Sequence, residues 1–358
     1  MRVLIAGGGT GGHIIPALAI ADELKARSGA EVLFVGTARG LESRLVPQAG
    51  YRLELIRVGQ LNQVSLATRL KTVFDLPRGF LQCVKLLRAF GPKVVIGVGG
   101  YASGPVMGAA ILLGIPTLAF EPNAVPGMAN RLVGKRVKAA AVNLTPAAKY
   151  FRGAQVTGIP VRAEFFRLTA RTAGSPPHLL VFGGSQGARV LNNTMPKIAS
   201  ALLDAVPGLT ILHQAGARAA ETTLAAYQAS GAPPERWQVA AFLDDMPRRF
   251  EAADLVLARS GASTVAELAA AGKPALLIPF PQAADDHQRH NAEVMAHADA
   301  AQVMLEAELT PERLLEALVK LLQEPKRLAQ MAENARTLAH PDAAERIAGM
   351  VMGLAGRP

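Results

Sequence analysis

Arg2-Val3-Leu4-Ile5-Ala6-Gly7-Gly8-Gly9-Thr10-Gly11-Gly12-His13 opens the chain, and its pattern returns at His178-Leu179-Leu180-Val181-Phe182-Gly183-Gly184-Ser185-Gln186-Gly187-Ala188. Each stretch is an unbroken apolar run, then a glycine-rich turn, then a helical pattern. After the first turn, Ile14, Ala17, Leu18, Ala21 and Leu24 share one face. A run that is apolar without alternation suits a strand covered on both sides, and a glycine turn into a helix opens a βαβ unit. Further runs at 31–35, 51–56, 94–98, 117–120 and 138–142 alternate with helical stretches, and a second series follows at 210–213, 237–241, 255–258 and 275–279. The spacing predicts an α/β chain with two Rossmann-like, doubly wound domains facing a cleft. We place them at residues 1–160 and 161–340, with a polar stretch at 169–177 and a C-terminal helix near 341–358 that packs back on the first domain.

The bulk numbers agree with this division. A length of 358 residues exceeds the usual single domain, and 50% apolar with 18% charged residues excludes a disordered chain. One cysteine, Cys83, allows no internal disulfide, as in a reducing compartment. No signal peptide is readable after Met1, and the apolar stretch 106–120 is broken by Gly114 and Pro116, too short to cross a bilayer. The expectation is a protein that is soluble or lies on a membrane. Residues 1–160 carry 19 Lys/Arg against 7 Asp/Glu, whereas the remainder carries 19 against 21. A basic half points to a polyanion, but 5% aromatic residues and no RNA-binding or helix-turn-helix signature speak against nucleic acid.

In open parallel sheets ligands bind beyond the carboxyl ends of the strands, so chemistry is sought on the loops that follow them. The segment 7–12 satisfies G-x-G-x-x-G, whose glycines let backbone N–H groups approach a diphosphate at a helix N-terminus. A dinucleotide site also needs an acid after the second strand, and Phe34-Val35-Gly36-Thr37 has none. His13 either packs the helix start or acts as a proton acceptor. Segment 183–188 is a second phosphate-loop candidate. Ser260-Gly261-Ala262-Ser263-Thr264-Val265-Ala266-Glu267 opens a helix with small residues, and Glu267 is either the capping-box partner of Thr264 or an acceptor for a ribose diol. Phe242-Leu243-Asp244-Asp245 could wall a nucleobase, while Glu121 and Asn123 end another strand. Asp285, Asp286, His287 and His290 are spaced too locally for a metal, and no cofactor or metal is expected. There is no Walker loop, which argues against an NTPase.

The segments Gly8-Gly9-Thr10-Gly11-Gly12-His13, Gly99-Gly100-Tyr101-Ala102-Ser103-Gly104-Pro105, Gly183-Gly184-Ser185-Gln186-Gly187-Ala188-Arg189, Arg259-Ser260-Gly261-Ala262 through Glu267, and Asp286-His287-Gln288 occur in this order over nearly the whole chain. Together they resemble the MurG family, the peptidoglycan GlcNAc transferases of bacteria within glycosyltransferase family 28. The resemblance implies a GT-B fold and inverting transfer of GlcNAc from UDP-GlcNAc to the C4 hydroxyl of MurNAc in undecaprenyl-pyrophosphoryl-MurNAc-pentapeptide (lipid I), with no metal required. It implies that Ala262, Ser263, Thr264, Val265, Ala266 and Glu267 meet the donor sugar and ribose, Ser185 the diphosphate, Leu243 the uracil and Gln288 the GlcNAc hydroxyls. Asn123 and Arg162 would also contact the donor. Thr10, Gly11 and Gly12 would line the acceptor diphosphate and donor side, with His13 and Glu267 as catalytic residues. Gly9, Tyr101, Ser103 and Glu121 would face the acceptor. Three departures stand out: Phe120 and Pro122 where the family often has His and Gln, Ser263 for Leu, and Ile159 for Asn.

A lipid acceptor also accounts for the basic half. Between 61 and 93 lie Arg69, Lys71, Arg78, Lys85, Arg88 and Lys93 against Asp75, interleaved with Leu66, Leu70, Val73, Phe74, Leu76, Phe80, Leu81, Val84 and Leu86. Such a helix suits an anionic interface, or equally a core helix with a solvated basic face. The expected setting is peripheral, on the cytoplasmic face of the plasma membrane, with cell-wall synthesis proteins as further partners. The alternatives are a UDP-GlcNAc 2-epimerase, which needs no lipid, and a nucleotide-binding scaffold without turnover.

Overall fold

The structure, a computed structural model, describes residues 1–9, 11–38, 40–56, 66–169, 171 and 174–356, except for the side chains of 66–77. The chain divides into two compact units: Met1–Pro160 with Asp342–Pro358, and Val161–Pro341.

Unit 1 is built on seven strands: β1 (Arg2–Gly7), β2 (Glu31–Gly36), β3 (Arg52–Leu55), β4 (Val94–Gly99), β5 (Thr117–Glu121), β6 (Ala139–Val142) and β7 (Ala154–Val156). They pair in the order β3-β2-β1-β4-β5-β6-β7, every neighbour parallel. Unit 2 has β8 (His178–Phe182), β9 (Thr210–Gln214), β10 (Trp237–Ala240), β11 (Leu255–Ala258), β12 (Ala275–Leu277) and β13 (Ala301–Val303), again parallel, in the order β10-β9-β8-β11-β12-β13. Val3 to Ala6 and Leu179 to Val181 are wholly buried, as the unbroken apolar runs require. The short outer strands β7 and β13 were not foreseen. Each reads Ala-Gln-Val, too brief and too polar to stand out as a run.

The strand order reverses direction between β1 and β4 in unit 1 and between β8 and β11 in unit 2, and at such a switch point the two following loops diverge and leave a crevice. In unit 1 the loops after β1 and β4 touch backbone to backbone. Gly8 N–H donates to Gly99 O at 3.3 Å, and a Cβ on Gly100 would lie 2.2 Å from Gly8 O. Gly100 also has φ 81°, a conformation that side chains rarely adopt.

The Leu66–Phe90 helix packs on the Ser103–Leu112 helix, and Cys83, Leu87 and Phe90 are buried. Phe80, Val84 and Leu86 pack on the unit 1 core, so of the interleaved apolar residues whose side chains are described, only Leu81 is exposed. The expected apolar surface stripe is thus mostly core between 78 and 90. Residues 61–65, and the side chains of Leu66, Arg69, Leu70, Lys71, Val73, Phe74, Asp75 and Leu76, lie outside the described residues. No helix among the described residues is long and apolar enough to cross a membrane. The Ala343–Ala355 helix packs on the Gly11–Ser28 helix within unit 1, with Arg27 Nη1 3.5 Å from Glu345 Oε1.

Replacing Gly100 by alanine should force the β1 and β4 loops apart. The expected cost is about 2 kcal/mol or more, read as a fall in the thermal midpoint of several degrees. An unchanged midpoint would show that this approach is not required.

Candidate functional site

In unit 1 the glycine turn after β1 leads into the Gly11–Ser28 helix, which carries His13 in its first turn. His13 is half-buried, with its ring against the β4 loop: a Cβ on Gly99 would sit 3.0 Å from His13 Nε2. Thr10 lies outside the described residues. Gly9 N–H is taken by a residue that the sequence did not single out. Glu42, 1% exposed, accepts it at 2.8 Å through Oε2, and through Oε1 accepts Thr37 N–H and Thr37 Oγ1–H, each at 2.9 Å. The carboxylate missing from the end of β2 is therefore supplied from the next helix and turned onto the glycine loop.

The other acceptor-side candidates separate into outer and inner residues. Tyr101 is exposed, whereas Ser103 is 1% exposed, its hydroxyl over Gly97. Glu121 is also buried. One oxygen accepts Asn123 N–H at 2.9 Å and Asn123 Nδ2 at 3.1 Å, and the other accepts Asn130 Nδ2 at 3.0 Å. Burial pushes its carboxyl up to about 7 against the opposing hydrogen bonds from Asn130, Asn123 and Gly127. Glu121 holds its loop in place rather than lining a surface, and Ser103 is likewise buried. Asn123 is half-buried, and Asn143 fixes the same loop through Pro122 O at 3.0 Å.

In unit 2 the loop after β8 exposes Ser185 and Gln186. Its path is set by another backbone contact: a Cβ on Gly187 would lie 1.8 Å from Ala215 O. Beneath it runs a buried polar chain. Asn192 Nδ2 donates to Ala215 O at 2.9 Å, and Asn192 Oδ1 lies 3.1 Å from His213 Nε2. His213 Nδ1 lies 3.2 Å from the Tyr227 hydroxyl. With Asn192 Oδ1 an acceptor, His213 carries its proton on Nε2 and accepts the tyrosine hydroxyl on Nδ1. Burial lowers the imidazole to about 3, so it is neutral. Gln214, 3% exposed, joins two loops: its Nε2 donates to Gly184 O and its Oε1 accepts Leu243 N–H, both at 2.9 Å. Leu243 is itself in the core, so only its backbone faces the loop edge, while Phe242 is 57% exposed.

The loop after β11 and the Ala262–Ala271 helix form the third side. Gly261 is the N-cap, in extended geometry, and no side chain caps the helix. Thr264 therefore lies inside the first turn, which overturns the capping-box reading and leaves first-turn N–H groups for a ligand. Ala262 and Val265 are buried inward, while Ser263, Thr264, Ala266 and Glu267 are half-buried. Ser263 Oγ has no hydrogen-bond partner among the described residues. Burial pushes Glu267 up to about 7, opposed by the charge of exposed Arg162. Ser260 Oγ donates to Gln288 O at 2.7 Å, Gln288 Oε1 accepts Phe280 N–H at 3.1 Å, and Arg259 Nη1 donates to Ile278 O and Pro279 O at 3.0 Å. These bonds tie the loops after β11 and β12 together. The polar run at 285–290 is consumed locally: Asp285 and Asp286 both adopt φ 53°, and His290 Nδ1 pairs with Glu293 at 3.0 Å. Among the described residues no group of three or more His, Cys, Asp or Glu is placed to hold a metal.

Residues 3–142 match the glycosyltransferase family 28 N-terminal domain, and residues 178–347 match its C-terminal domain. The chain belongs to glycosyltransferase family 28. A relative from Geobacter sp. (strain M21) is 44% identical, covering 97% of this chain and 94% of its own length. It is named UDP-N-acetylglucosamine--N-acetylmuramyl-(pentapeptide) pyrophosphoryl-undecaprenol N-acetylglucosamine transferase. A crystal structure of Acinetobacter baumannii MurG superposes with TM-score 0.82 at 32% identity, covering 98% of this chain and 99% of that one. The UDP-GlcNAc 2-epimerase of Neisseria meningitidis, bound to UDP-GlcNAc, shares the fold with TM-score 0.69 at 12% identity, covering 99% of this chain and 100% of that one. The family 28 match spans both switch-point loops, and the fold is GT-B, as the motifs implied.

Two of the shifted groups, Glu121 and His213, give opposite pH signatures. Glu121 has a folded value above its ordinary 4.5, so its stabilisation is complete below about 4.5 and is lost as pH rises through about 7. His213 has a folded value below its ordinary 6.5, so its stabilisation holds above 6.5 and is lost as pH falls towards about 3. In denaturant melts, Glu121→Gln should gain on the parent as pH rises, and His213→Gln should gain as pH falls. Differences from the parent that stay constant with pH would refute both assignments.

Proposed function

We propose that this chain transfers GlcNAc from UDP-GlcNAc to the C4 hydroxyl of a MurNAc unit carried on undecaprenyl pyrophosphate, with inversion at the anomeric carbon. The carrying observation is the 44% identity, over 97% of the chain, to a relative named for that transfer. Unit 2 carries the donor. The uncapped first turn at Ala262, Ser263 and Thr264, together with Ser185 on the loop after β8, offers N–H and O–H donors to the diphosphate. Glu267 accepts from the ribose diol, Gln288 meets the sugar hydroxyls, and the backbone at Leu243 faces the uracil, with Arg162 beside Glu267. Unit 1 carries the acceptor on the turn containing Gly9, Thr10, Gly11 and Gly12, with Tyr101 at its exposed side and Asn123 as a further donor contact.

In an inverting displacement the acceptor oxygen attacks the anomeric carbon opposite the departing UDP, its proton passes to a base, and the diphosphate takes up the bonding electron pair. His13, in the first helical turn beside Gly99, is the base. The unit 2 helix dipole favours the negative charge that grows on the leaving group. An epimerase would need no acceptor, and its support here is fold likeness alone.

A peripheral seat on the anionic, cytoplasmic face of the membrane fits the charge of unit 1. Arg78, Lys85 and Arg88 are exposed beside Leu81, and the adjoining Ser103–Leu112 and Met128–Val133 helices add Leu112 and Leu132, 72% and 66% exposed. Basic and apolar groups side by side gain from anionic headgroups and from the acyl boundary together.

The deciding experiment supplies radiolabelled UDP-GlcNAc with a lipid I analogue and follows label into the lipid fraction. Hydrolysis or epimerisation without lipid labelling would remove the proposal. Glu267→Ala should raise the KM for UDP-GlcNAc about tenfold or more, whereas His13→Ala should lower kcat by about a hundredfold with donor KM little changed. Near-normal kcat would take His13 out of the chemistry. Sedimentation with anionic vesicles should be weakened by salt and by Leu112→Glu; equal binding to neutral vesicles would argue against the electrostatic part.

A further inference from the structure

Glu42 has no place in the chemistry just described, yet its surroundings are built around it. It begins the short Glu42–Gln48 helix, where an acid is ordinarily explained by the helix dipole. Here the side chain instead reaches across to Gly9, 33 residues earlier, and to Thr37. Three glycines make room for it. A Cβ at Gly8 would lie 2.2 Å from the carboxyl carbon, one at Gly36 would lie 2.4 Å from Cγ, and one at Gly40 would lie 1.9 Å from Oε2. Gly9 is held from its other side as well, since Leu41 N–H donates to Gly9 O at 3.4 Å.

We propose that Glu42 is a positioning residue for transfer: it fixes the turn between β1 and the helix of His13, an inference resting on the reading of that turn as the acceptor loop. The carboxylate cannot be the base, because it is 1% exposed and both oxygens already accept hydrogen bonds. Its effect passes through Gly9 N–H. Committing that donor inward settles which way Gly9 faces and leaves the helix N-terminus that begins at Gly11 to meet a ligand. The match is specific to a carboxylate, since three donors converge on two oxygens. A glutamine has the same shape but would turn an NH2 group towards either Gly9 N–H or Thr37 N–H, donor against donor.

The test uses Glu42→Gln in the full chain with the lipid I analogue, kcat and acceptor KM being read separately from UDP binding by calorimetry. Because UDP is bound by unit 2, it reports whether the rest of the protein is intact. The expected result is a fall of about tenfold or more in kcat/KM for the acceptor, with UDP affinity within about twofold of the parent. Gly40→Ala keeps the carboxylate but pushes it from its seat, and should give the same signature. Combined, the two changes should cost less than the product of their separate effects, because both remove one contact set. Transfer at the parental rate in both single variants would overturn the proposal. So would a loss of UDP affinity in parallel with transfer, which marks general unfolding. If the parent binds UDP but never labels the acceptor, the acceptor-loop reading itself falls, and that is seen before any variant is made.

Discussion

Backbone packed on backbone, with no side chain between, is the constraint on which both units depend. At the switch point of each sheet two loops leave neighbouring strands, and a ligand can be reached only if those loops stay thin. Gly100 against Gly8 in unit 1 and Gly187 against Ala215 in unit 2 meet this condition, and at φ 81° and 71° they also need the freedom that only glycine has. Once the loops are thin, helix N-termini reach the sheet edge, where unpaired N–H groups and the helix dipole favour a diphosphate. The chemistry of a glycosyl donor follows from that geometry.

Thin loops are poor at holding their own shape, and buried polar groups do it for them. Glu121 anchors the loop after β5, Glu42 the turn after β1, and Gln214 spans the loops after β8 and β10. His213 lies deeper, between Asn192 and Tyr227, so that the carbonyl of Ala215 is held where Gly187 meets it. Each of these groups would be costly alone in the interior and is tolerated because its partners are in place. Their removal should be felt first at the loops, not in the sheet.

Much of this fold is legible along the chain because the strands are buried on both faces, and continuous runs such as His178–Phe182 and Leu255–Ala258 coincide with β8 and β11. The glycine turns are equally plain, since no other residue tolerates them. What the sequence conceals is anything that depends on residues distant along the chain. Glu42 looks like the first-turn acid of a surface helix, and nothing local announces that it faces Gly9. Gln214 and His213 end an apolar strand and read as its edge, yet both are buried. The capping-box reading of Thr264 and Glu267 failed for a related reason: Gly261 starts the helix earlier, a choice set by the loop before it. The basic-apolar helix was ambiguous because amphipathic periodicity does not say whether water, core or lipid covers the apolar side; Phe80, Val84 and Leu86 proved to face the core.

The return of Asp342–Pro358 to unit 1 has a bearing on biosynthesis. Unit 2 is one uninterrupted segment, Val161–Pro341, and can close its core as soon as that length has left the ribosome. Unit 1 must wait: the flank of the Gly11–Ser28 helix that takes Ala343–Ala355 stays uncovered until the whole of unit 2 has been made, although that helix precedes unit 2 in the chain. The unit assigned to the acceptor is thus completed after the other, and its His13 helix gains the support of Ala343–Ala355 only when the half assigned to the donor already exists.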